Sequence, residues 1–399
     1  MSGTSFQLTE EIKQFIRDHA HEGAERLALQ ANKYPDLPIA FIAQQIQGRS
    51  KIEKKLPTWF GQESVVFPVR ISLEQCTSEQ VATFKANLVE GESAVDLTGG
   101  FGVDSFFLGK RFKRLDYVER NAELKTVVEE NFGVLGGNVD TRFHVGDGVE
   151  WLANQNQVFD LIYLDPARRD DRGLKVSALE ACEPDVIEHW SLLLERGREV
   201  MVKTSPGLDI ERACKQITDV ESVFVIAIGS DCKELVFRAR KGVQGPALIR
   251  CIDLKEGGLE SEFSYRLEEE KACEGSFGMP QRYLYEPNAA LMKAGPFKLI
   301  SKRTGCAALN PRSRLYTSNS LKADFPGRVF EILEDMPLSK KAAQKAFAAG
   351  KANVISRNCG LSAEELKRKL KLSDGGEEYA IGTRLANDAR RVFRCRRLK

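Results

Sequence analysis

The sequence predicts an α/β protein whose centre is a doubly wound, mainly parallel sheet of seven strands. From residue 94 onward, short apolar runs alternate with amphipathic segments, and this alternation is typical of βαβ units. The last two runs are joined only by the turn GSDCK, which predicts a hairpin and therefore an antiparallel final strand. The predicted strands are Ala94–Leu97, Arg114–Val118, Thr141–Val145, Leu161–Leu164, Glu199–Lys203, Ser222–Ile228 and Glu234–Arg238.

Helical periodicity fills most of the connections between these strands. The expected helices cover about 103–111, 121–135, 148–154, 179–195 and 208–218. Helical patterns also occur earlier in the chain, at 8–32, 38–50 and 78–89, around a stretch that prolines and a glycine interrupt. We therefore expect a helical cap over residues 1–90 and a sheet domain over residues 91–242.

Beyond residue 242 the pattern changes to a smaller α+β arrangement. Strands are expected at 246–254 and 261–267, and a short helix at 287–295. A compact module then follows, with predicted elements at Arg328–Leu333, 338–348, Ala352–Ser356, 362–370 and a hairpin over 378–397. This change divides the remaining chain into a connecting segment, 243–328, and a terminal module, 329–399.

The composition excludes several classes of protein. Hydrophobic residues make up 42% and charged residues 29% of the chain, which is enough to bury a core and excludes a wholly disordered protein. The nine cysteines are dispersed without a CxxC pair, so they predict neither a zinc framework nor a disulfide scaffold. No signal peptide and no long apolar span is evident. We expect a soluble cytoplasmic protein without a metal and without a membrane partner.

Charge is distributed unevenly along the chain. The formal net charge is only +2, yet residues 330–399 contain 16 Lys/Arg against 9 Asp/Glu. The terminal module is therefore basic, whereas the rest of the chain is mildly acidic. A local basic surface of this kind is consistent with nucleic-acid binding, although a solvated terminal strand is the alternative.

The main motif is AVDLTGGFGVD, which runs from Ala94 to Asp104. Glycines between a strand and a helix let the backbone approach a ligand, and the helix start offers free N–H groups. The third glycine of a dinucleotide fingerprint is missing, and Asp96 precedes the turn. A carboxylate there would repel a pyrophosphate but would suit a ligand that carries an amino group. The alternative is an ordinary βα turn.

Three further acids end the next three predicted strands. Glu119 follows the second strand, where a carboxylate can accept two hydrogen bonds from a ribose. Asp147 follows the third strand, where it could accept from an adenine amino group, and Asp165 follows the fourth. Each acid alone could be a helix N-cap. Together they predict one ligand crevice, because open α/β sheets bind ligands at the carboxyl ends of their strands.

This order of motifs resembles the class I S-adenosylmethionine-dependent methyltransferases over about residues 75–242. The resemblance implies a Rossmann-like seven-stranded core and S-adenosylmethionine as the cofactor. It implies that the glycine turn holds the methionine part, that the acid after the second strand binds the ribose, and that the acid after the third strand binds the adenine. The cofactor-binding residues it implies are Asp96, Thr98, Gly99, Gly100, Gly102, Glu119, Asp147 and Gly148. Thr98 departs from the usual first glycine, in a variant similar to ribosomal guanine-N2 methyltransferases.

The candidate catalytic motif is Asp165-Pro166-Ala167-Arg168. It is similar to the (D/N/S)-P-P-(Y/F/W) motif of amino-group methyltransferases. In that family, the first side chain and the proline carbonyl accept hydrogen bonds from the target NH2, which orients the nitrogen for transfer. Ala167 and Arg168 replace the second proline and the stacking aromatic. A structural Asp-Pro strand end therefore stays an alternative, as does a relative that has lost catalysis.

Two neighbouring segments border the same predicted crevice. The arginines of 168–172 could bind a substrate phosphate or pair with the two aspartates between them. Lys203 ends the fifth strand and could also face the crevice. The segment Thr204-Ser-Pro-Gly207 holds no cysteine, which excludes the nucleophilic chemistry of RNA uracil C5 methylation.

The C-terminal part resembles the ferredoxin-like segment and the THUMP-like domain that are attached to a family of class I methyltransferases. The match rests on the segment Glu331–Pro337 and on the closing hairpin that begins at Tyr379. Because THUMP domains bind RNA, the resemblance implies an RNA partner, either rRNA or tRNA. The arginines that could contact its backbone are Arg390, Arg391, Arg394, Arg396 and Arg397.

The sequence thus predicts a methyltransferase that acts on RNA at an exocyclic nitrogen of a nucleobase, with Asp165 and Pro166 as catalytic residues. Two alternatives stay open. The enzyme could instead methylate a protein or a small molecule, or the chain could be a catalytically inactive RNA-binding relative.

Overall fold

The computed structural model describes residues 8–68, 73, 76–137, 140–168 and 179–399. The chain divides into two compact units. Unit 1 contains residues 1–209, 215–219 and 237–243, and unit 2 contains residues 210–214, 220–236 and 244–399. Each unit has its own hydrophobic core, and each is described separately.

Unit 1 begins with a group of short helices, in agreement with the predicted helical cap. These are α1 (Glu10–His19), α2 (Ala24–Ala28), α3 (Ile39–Ile52), α4 (Pro57–Phe60) and α5 (Glu79–Ala86). The pattern at 8–32 predicted one long helix, but Gly23 adopts a φ of +81° and separates α1 from α2. A left-handed glycine ends a helix readily because it lacks a Cβ. Buried isoleucines and leucines such as Ile16, Leu27 and Ile42 hold the helices together.

The sheet of unit 1 contains five parallel strands in the order β7-β4-β1-β2-β3. Its strands, with two short ones, are β1 (Gly91–Asp96), β2 (Phe112–Glu119), β3 (Asp140–Val145), β4 (Phe159–Leu164), β5 (Ala167–Arg168), β6 (Cys182–Glu183) and β7 (Gly197–Thr204). The helices between them are α6 (Val103–Gly109), α7 (Ala122–Leu135), α8 (Gly148–Ala153) and α9 (Trp190–Arg196). The last three residues of β1 and nearly all of β4 are buried, as expected for central strands covered on both faces.

One predicted helix is much shorter than expected. The apolar pattern at 179–195 suggested a single helix, whereas α9 begins only at Trp190. A 3₁₀ turn at Leu179–Ala181 and the short strand β6 precede it. Pro184 explains the difference, because proline lacks an N–H and clashes with the preceding turn inside a helix.

Unit 2 contains the rest of the predicted strands. Its first elements are α10 (Ile210–Gln216), β8 (Val220–Ile228), β9 (Asp231–Arg240), β10 (Leu248–Lys255) and β11 (Gly258–Arg266), of which α10 and β9 contribute residues to both units. All seven predicted core strands are thus present. In addition, β10 pairs in parallel with β8, and β11 pairs antiparallel with β10, so residues assigned to the connecting segment extend the pairing from β8. The buried side chains of β10 support this position.

The remainder of unit 2 forms a second sheet of seven strands, in the order β13-β14-β12-β15-β18-β17-β16. Its strands are β12 (Tyr283–Pro287), β13 (Ala307–Ala308), β14 (Tyr316–Ser318), β15 (Gly327–Pro337), β16 (Asn353–Arg357), β17 (Glu378–Arg384) and β18 (Arg390–Arg397). The helices are α11 (Leu267–Ala272), α12 (Ala289–Ala294), α13 (Phe297–Thr304), α14 (Lys340–Ala346) and α15 (Ala363–Leu370). Successive residues of β18 face opposite sides, since Val392 and Phe393 belong to different hydrophobic clusters.

None of the described helices is both long enough and apolar enough to cross a lipid bilayer.

Candidate active site

The glycine turn, Thr98–Gly102, connects β1 to α6 and is fixed by packing against β2. Gly100 and Gly102 have φ values of +57° and +75°, a left-handed conformation that favours glycine. A Cβ on Gly99 would lie 2.3 Å from the ring of Tyr117, so only glycine fits there. The Tyr117 hydroxyl donates to the carbonyl of Gly100 at 2.7 Å. Backbone groups of the turn are therefore held in place for contact with a ligand.

Asp96 supports this turn from the inside. Its side chain is only 2% exposed, and its carboxylate accepts hydrogen bonds from the Thr98 amide at 3.0 Å, the Thr98 hydroxyl at 3.3 Å and the Ser105 hydroxyl. Burial raises the pKa of Asp96 to about 7. The geometry thus assigns Asp96 to the support of the turn, and its predicted contact with the cofactor stays a prediction.

Glu119, at the end of β2, lies directly beside the turn. It is half-buried, and its carboxylate accepts from the amides of Gly100 at 2.9 Å and Asn121 at 2.8 Å. An ionised carboxylate has about four acceptor positions, so two remain for a ligand. This arrangement suits a pair of ribose hydroxyls, as the sequence predicted.

Asp147 caps a helix at the end of β3. Its Oδ1 accepts from the amides of Val149 at 2.8 Å and Glu150 at 3.0 Å, and its Oδ2 pairs with the guanidinium of Arg120. Partial burial alone would raise the pKa of Asp147, but these amides and Arg120 hold the pKa below its ordinary value. An adenine amino group could reach Asp147 only by sharing it with Arg120, and this role stays a prediction.

Gly148 brings the start of α8 against the end of β1. A Cβ at this position would lie 2.0 Å from the carbonyl oxygen of Leu97, which no real side chain could tolerate. The sequence analysis named Gly148 together with Asp147, and the close contact gives a physical reason for glycine there.

Asp165 and Pro166 follow β4, the neighbour of β1 in the sheet. The backbone amide of Asp165 donates to the Thr98 hydroxyl at 2.7 Å, and the same hydroxyl donates to Asp96 at 3.3 Å. Thr98, the residue that departs from the family pattern, therefore ties the candidate catalytic segment to the glycine turn. The Asp165 side chain is 41% exposed, whereas Pro166 is buried.

A buried ionic network lies behind Asp165. Lys203, at the end of β7, pairs with Asp165 and lies 3.8 Å from Asp104. Asp104 also pairs with Lys85 at 2.7 Å and accepts from the Tyr163 hydroxyl at 2.8 Å. Burial would raise the pKa of Asp104, but the two ammonium groups lower it overall. Lys203 thus contacts the candidate catalytic residue Asp165, and its role in the crevice stays a prediction.

Sequence reasoning missed one member of this network, Lys85. It lies on α5, in a segment read only as part of the helical cap, and lysine is almost never fully buried unless it is paired. The signal that could have found a partner was Asp104, the last acid of the glycine motif. The remaining predicted site residues, the arginine loop from Arg169 to Arg172, lie outside the described residues.

The site therefore combines three kinds of groups at the carboxyl ends of neighbouring strands. Half-buried backbone of the glycine turn lies beside Glu119, a carboxylate with free acceptor positions. Asp165, a second accessible carboxylate, is held next to the same turn by Thr98 and Lys203. Such an arrangement can bind a ligand that carries hydroxyl groups and can orient an amino group beside it.

Comparison with known proteins identifies relatives of the whole chain. A solved protein from Porphyromonas gingivalis W83, described as a methyltransferase, is 31% identical and superposes with a TM-score of 0.86 over 98% of both chains. Two Mycobacterium tuberculosis proteins, from strains CDC 1551 and H37Rv, are each 22% identical over 79% of this chain and 83% of their own length. Both are named uncharacterized S-adenosylmethionine-dependent methyltransferases. Residues 283–326 match a ferredoxin-like domain family, and residues 327–397 match a THUMP domain-like family.

The fold and the site thus define a methyltransferase that uses S-adenosylmethionine. The chain belongs to the family of class I S-adenosylmethionine-dependent methyltransferases with a C-terminal THUMP-like domain, and it is an enzyme of that class. The predicted α/β fold is confirmed.

The residues of the glycine turn fit this cofactor. The left-handed Gly100 and the crowded Gly99 leave backbone without side chains, and Glu119 keeps acceptor positions for two hydroxyls. When bound, S-adenosylmethionine supplies an electrophilic methyl group on a sulfonium centre. The particular contacts with the cofactor stay predictions for all eight residues: Asp96, Thr98, Gly99, Gly100, Gly102, Glu119, Asp147 and Gly148.

Proposed function

We propose that this enzyme methylates an exocyclic amino group of an RNA nucleobase. The observation that carries the proposal is the double hydrogen bond of the Thr98 hydroxyl, with Asp165 on one side and Asp96 on the other. It holds Asp165, an accessible acceptor, against the turn that binds the cofactor. An amino group bound to Asp165 would then lie beside the methyl donor.

The chain's own residues have distinct parts in this proposal. The Asp165 carboxylate and the Pro166 carbonyl accept hydrogen bonds from the target NH2, which directs the nitrogen lone pair toward the methyl group. Lys203 orients the Asp165 carboxylate through their ion pair. Once the nitrogen has been methylated, it loses a proton, and the Asp165 carboxylate that accepts its hydrogen bond takes up that proton.

Two observations support RNA as the substrate. Residues 327–397 match a THUMP domain-like family, and residues 330–399 hold 16 Lys/Arg against 9 Asp/Glu. However, three of the predicted RNA-contacting arginines already pair with carboxylates on neighbouring strands. These pairs are Arg391–Asp335, Arg394–Glu378 and Arg396–Glu331, at 2.7, 2.6 and 2.7 Å. Phosphate contacts by these arginines would therefore require an exchange of partners.

One observation favours the second candidate, methylation of a protein or a small molecule. Ala167 is exposed and stands where the related motif has a second proline, and Arg168 replaces the aromatic ring that would stack on a base. A substrate without a planar ring would not need that stacking.

The test is transfer of a labelled methyl group from S-adenosylmethionine to extracts of a strain that lacks this protein. We expect label in purified total RNA and not in total protein. Label only in protein or in small molecules would contradict the proposal and favour the second candidate. Asp165→Ala should lower transfer by about a hundredfold or more, because it removes an acceptor that orients the nitrogen.

A matched control separates this effect from unfolding. Asp140→Ala removes an exposed carboxylate on β3, whose ion pair with Arg142 is on the surface, and it should leave transfer unchanged. Both variants should bind S-adenosylmethionine within about twofold of the wild type by calorimetry. Full activity of Asp165→Ala would show that Asp165 is not catalytic.

A further inference from the structure

Unit 2 contains a charged cavity of about 550 Å³ that the methyl-transfer site does not use. Its walls come from seven strands, β9, β10, β11, β12, β15, β16 and β18, and from α12. Six basic side chains line it: Lys255, Lys293, Arg328, Arg357, Arg397 and Lys399. The volume is within the usual range for pockets that bind small molecules.

Among the described residues that line the cavity, three side-chain carboxylates face these six cations: Asp253, Glu260 and Glu286. Glu286 is 2% exposed and pairs with both Arg328 and Arg357, with the guanidinium Nε atoms at 2.7 Å. Glu260 pairs with Lys255 at 2.6 Å and lies 3.9 Å from Lys399. Positive charge therefore exceeds negative charge in the cavity, and this excess favours an anionic ligand.

The third carboxylate, Asp253, has a buried oxygen atom that accepts no hydrogen bond from the described residues. Its side chain is 7% exposed, and its Oδ1 has no hydrogen-bond partner among the described residues. A buried polar atom without a partner costs free energy, and such atoms are uncommon in folded proteins. Asp253 lines the cavity, so a ligand with an N–H or O–H group could satisfy it.

The other lining residues indicate how such a ligand would be held. Pro287, Ala289 and Met292 supply a small apolar surface, and no aromatic ring lines the cavity. Recognition would therefore depend on charge and hydrogen bonds rather than on ring stacking. The ligand needs an anionic group for the arginines and lysines and a separate donor for Asp253.

We propose that this cavity binds a phosphorylated nucleotide, either free or at the end of an RNA chain. The phosphate meets the arginine and lysine side chains, Arg397 among them, and a ribose hydroxyl or a base N–H donates to Asp253. The proposal does not rest on RNA methylation, because a free nucleotide satisfies it as well.

The test uses the full-length protein saturated with S-adenosylhomocysteine, which occupies the cofactor position. The probe is a uridine nucleotide, because uracil has no exocyclic amino group for Asp165 to bind. Uridine 5′-monophosphate, uridine and inorganic phosphate are then titrated by calorimetry. We expect the monophosphate to bind at least tenfold more tightly than either uridine or phosphate alone, because only it satisfies both parts of the cavity. Equal affinity for uridine and its monophosphate would overturn the proposal.

Two adjacent arginines on β18 give a matched pair of variants. Arg397 lines the cavity, whereas Arg396 pairs with Glu331 and does not line it. Arg397→Ala should weaken binding of uridine monophosphate about tenfold, and Arg396→Ala should leave it unchanged. Equal effects of the two variants would place the phosphate elsewhere.

Asp253→Ala tests the donor side of the proposal. It should weaken binding of uridine monophosphate about tenfold but leave the affinity for inorganic phosphate within about twofold. The melting temperature should stay the same or rise, since the variant removes an unsatisfied buried group. Unchanged nucleotide affinity in a folded variant would show that Asp253 contacts no ligand.

Competition identifies the source of the nucleotide. A short RNA with a 5′-phosphate that displaces uridine monophosphate indicates an RNA end, and failure to displace it indicates a free nucleotide; both results require the cavity to bind the phosphate. If transfer to RNA fails while the monophosphate binds, the proposed function falls and this proposal stands.

Discussion

Two buried aspartates show how differently the two units use a carboxylate. Asp96, in unit 1, accepts from Thr98 and Ser105, so its own chain satisfies it. Asp253, in unit 2, keeps an oxygen without a hydrogen-bond partner among the described residues. A satisfied carboxylate can fix the backbone around it, whereas an unsatisfied one leaves the site incomplete until a ligand supplies a donor.

The balance of charge differs in the same way. In unit 1, Lys85 and Lys203 face two carboxylates, Asp104 and Asp165, so the ionic network behind the glycine turn is neutral as a whole. The charged cavity of unit 2 has more cations than carboxylates. The first region thus has no excess positive charge that would repel the cationic sulfonium ligand of a methyltransferase, whereas the second suits an anion.

The largest loss of stability is expected when the ionic network of unit 1 loses Asp104. Asp104→Ala should lower the free energy of unfolding by about 3–5 kcal/mol, because it leaves the buried Lys85 without its closest counter-ion. Urea denaturation measures the loss. Asp140→Ala, on the exposed end of β3, should cost less than about 0.5 kcal/mol. A similar small cost for both variants would mean that the network of unit 1 is not tightly paired.

The glycine turn is the next most sensitive place. Gly99→Ala should cost about 1–3 kcal/mol, because its Cβ would meet the Tyr117 ring at 2.3 Å, and cofactor affinity should fall at least tenfold. Gly133→Ala is the control: it lies within α7 with nothing near its Cβ, and it should stabilise the protein by about 0.5–1 kcal/mol. Calorimetry and thermal melting distinguish the two. A stable Gly99→Ala variant with normal cofactor binding would contradict the packing argument.

Asp96 should make stability depend on pH. Its pKa is raised to about 7 by burial, against 3.8 for the ordinary group, so the folded protein keeps the proton in a range where the unfolded chain releases it. The contribution to stability is therefore full below about pH 4 and is lost as the pH rises to 7. Relative to Asp96→Asn, the wild type should lose about 1–3 kcal/mol between pH 5 and pH 8. Parallel pH profiles of the two proteins would show that Asp96 is ionised throughout.

The smallest expected effect concerns the helix caps. Asp147→Ala and Asn121→Ala should each cost about 1 kcal/mol, because each side chain accepts from two amides at the start of a helix. Only Asp147 is predicted to bind adenine. If that role is correct, Asp147→Ala should weaken cofactor binding by at least fivefold, and Asn121→Ala should not. Equal cofactor affinities would leave Asp147 as a cap alone.

The sequence was most informative at positions where the residue type indicates a chemical role and a predicted strand end fixes the place of the residue in the sheet. The sequence identified Asp96, Glu119 and Asp165 because each is an acid at or just after the end of an apolar run. Parallel strands bring their carboxyl ends to one edge of the sheet, so these acids were expected to lie close together. The sequence alone did not predict the role of Thr98. Its hydrogen bond to Asp165 joins residues far apart in the chain, so it depends on the register between β1 and β4.

The charged cavity could not have been found in the same way. Its residues come from eight elements of unit 2, and no local spacing connects Asp253 with Arg357 or Arg397. The sequence did show an arginine-rich last strand. It did not show that Arg394 and Arg396 pair with acids on neighbouring strands, because cross-strand partners depend on the sheet order.

The parallel pairing of β8 with β10 limits how this gene could be divided by recombination. The two strands align from Ser222 opposite Leu248 to Ile228 opposite Leu254, although residue 242 was expected to end the sheet domain. A crossover at residue 242 would place β8 in a new protein without β10. The side of β8 that pairs with β10 would then be an exposed hydrogen-bonding edge that is prone to aggregation. Inheritance of β8 together with the residues through β11 avoids that exposed edge.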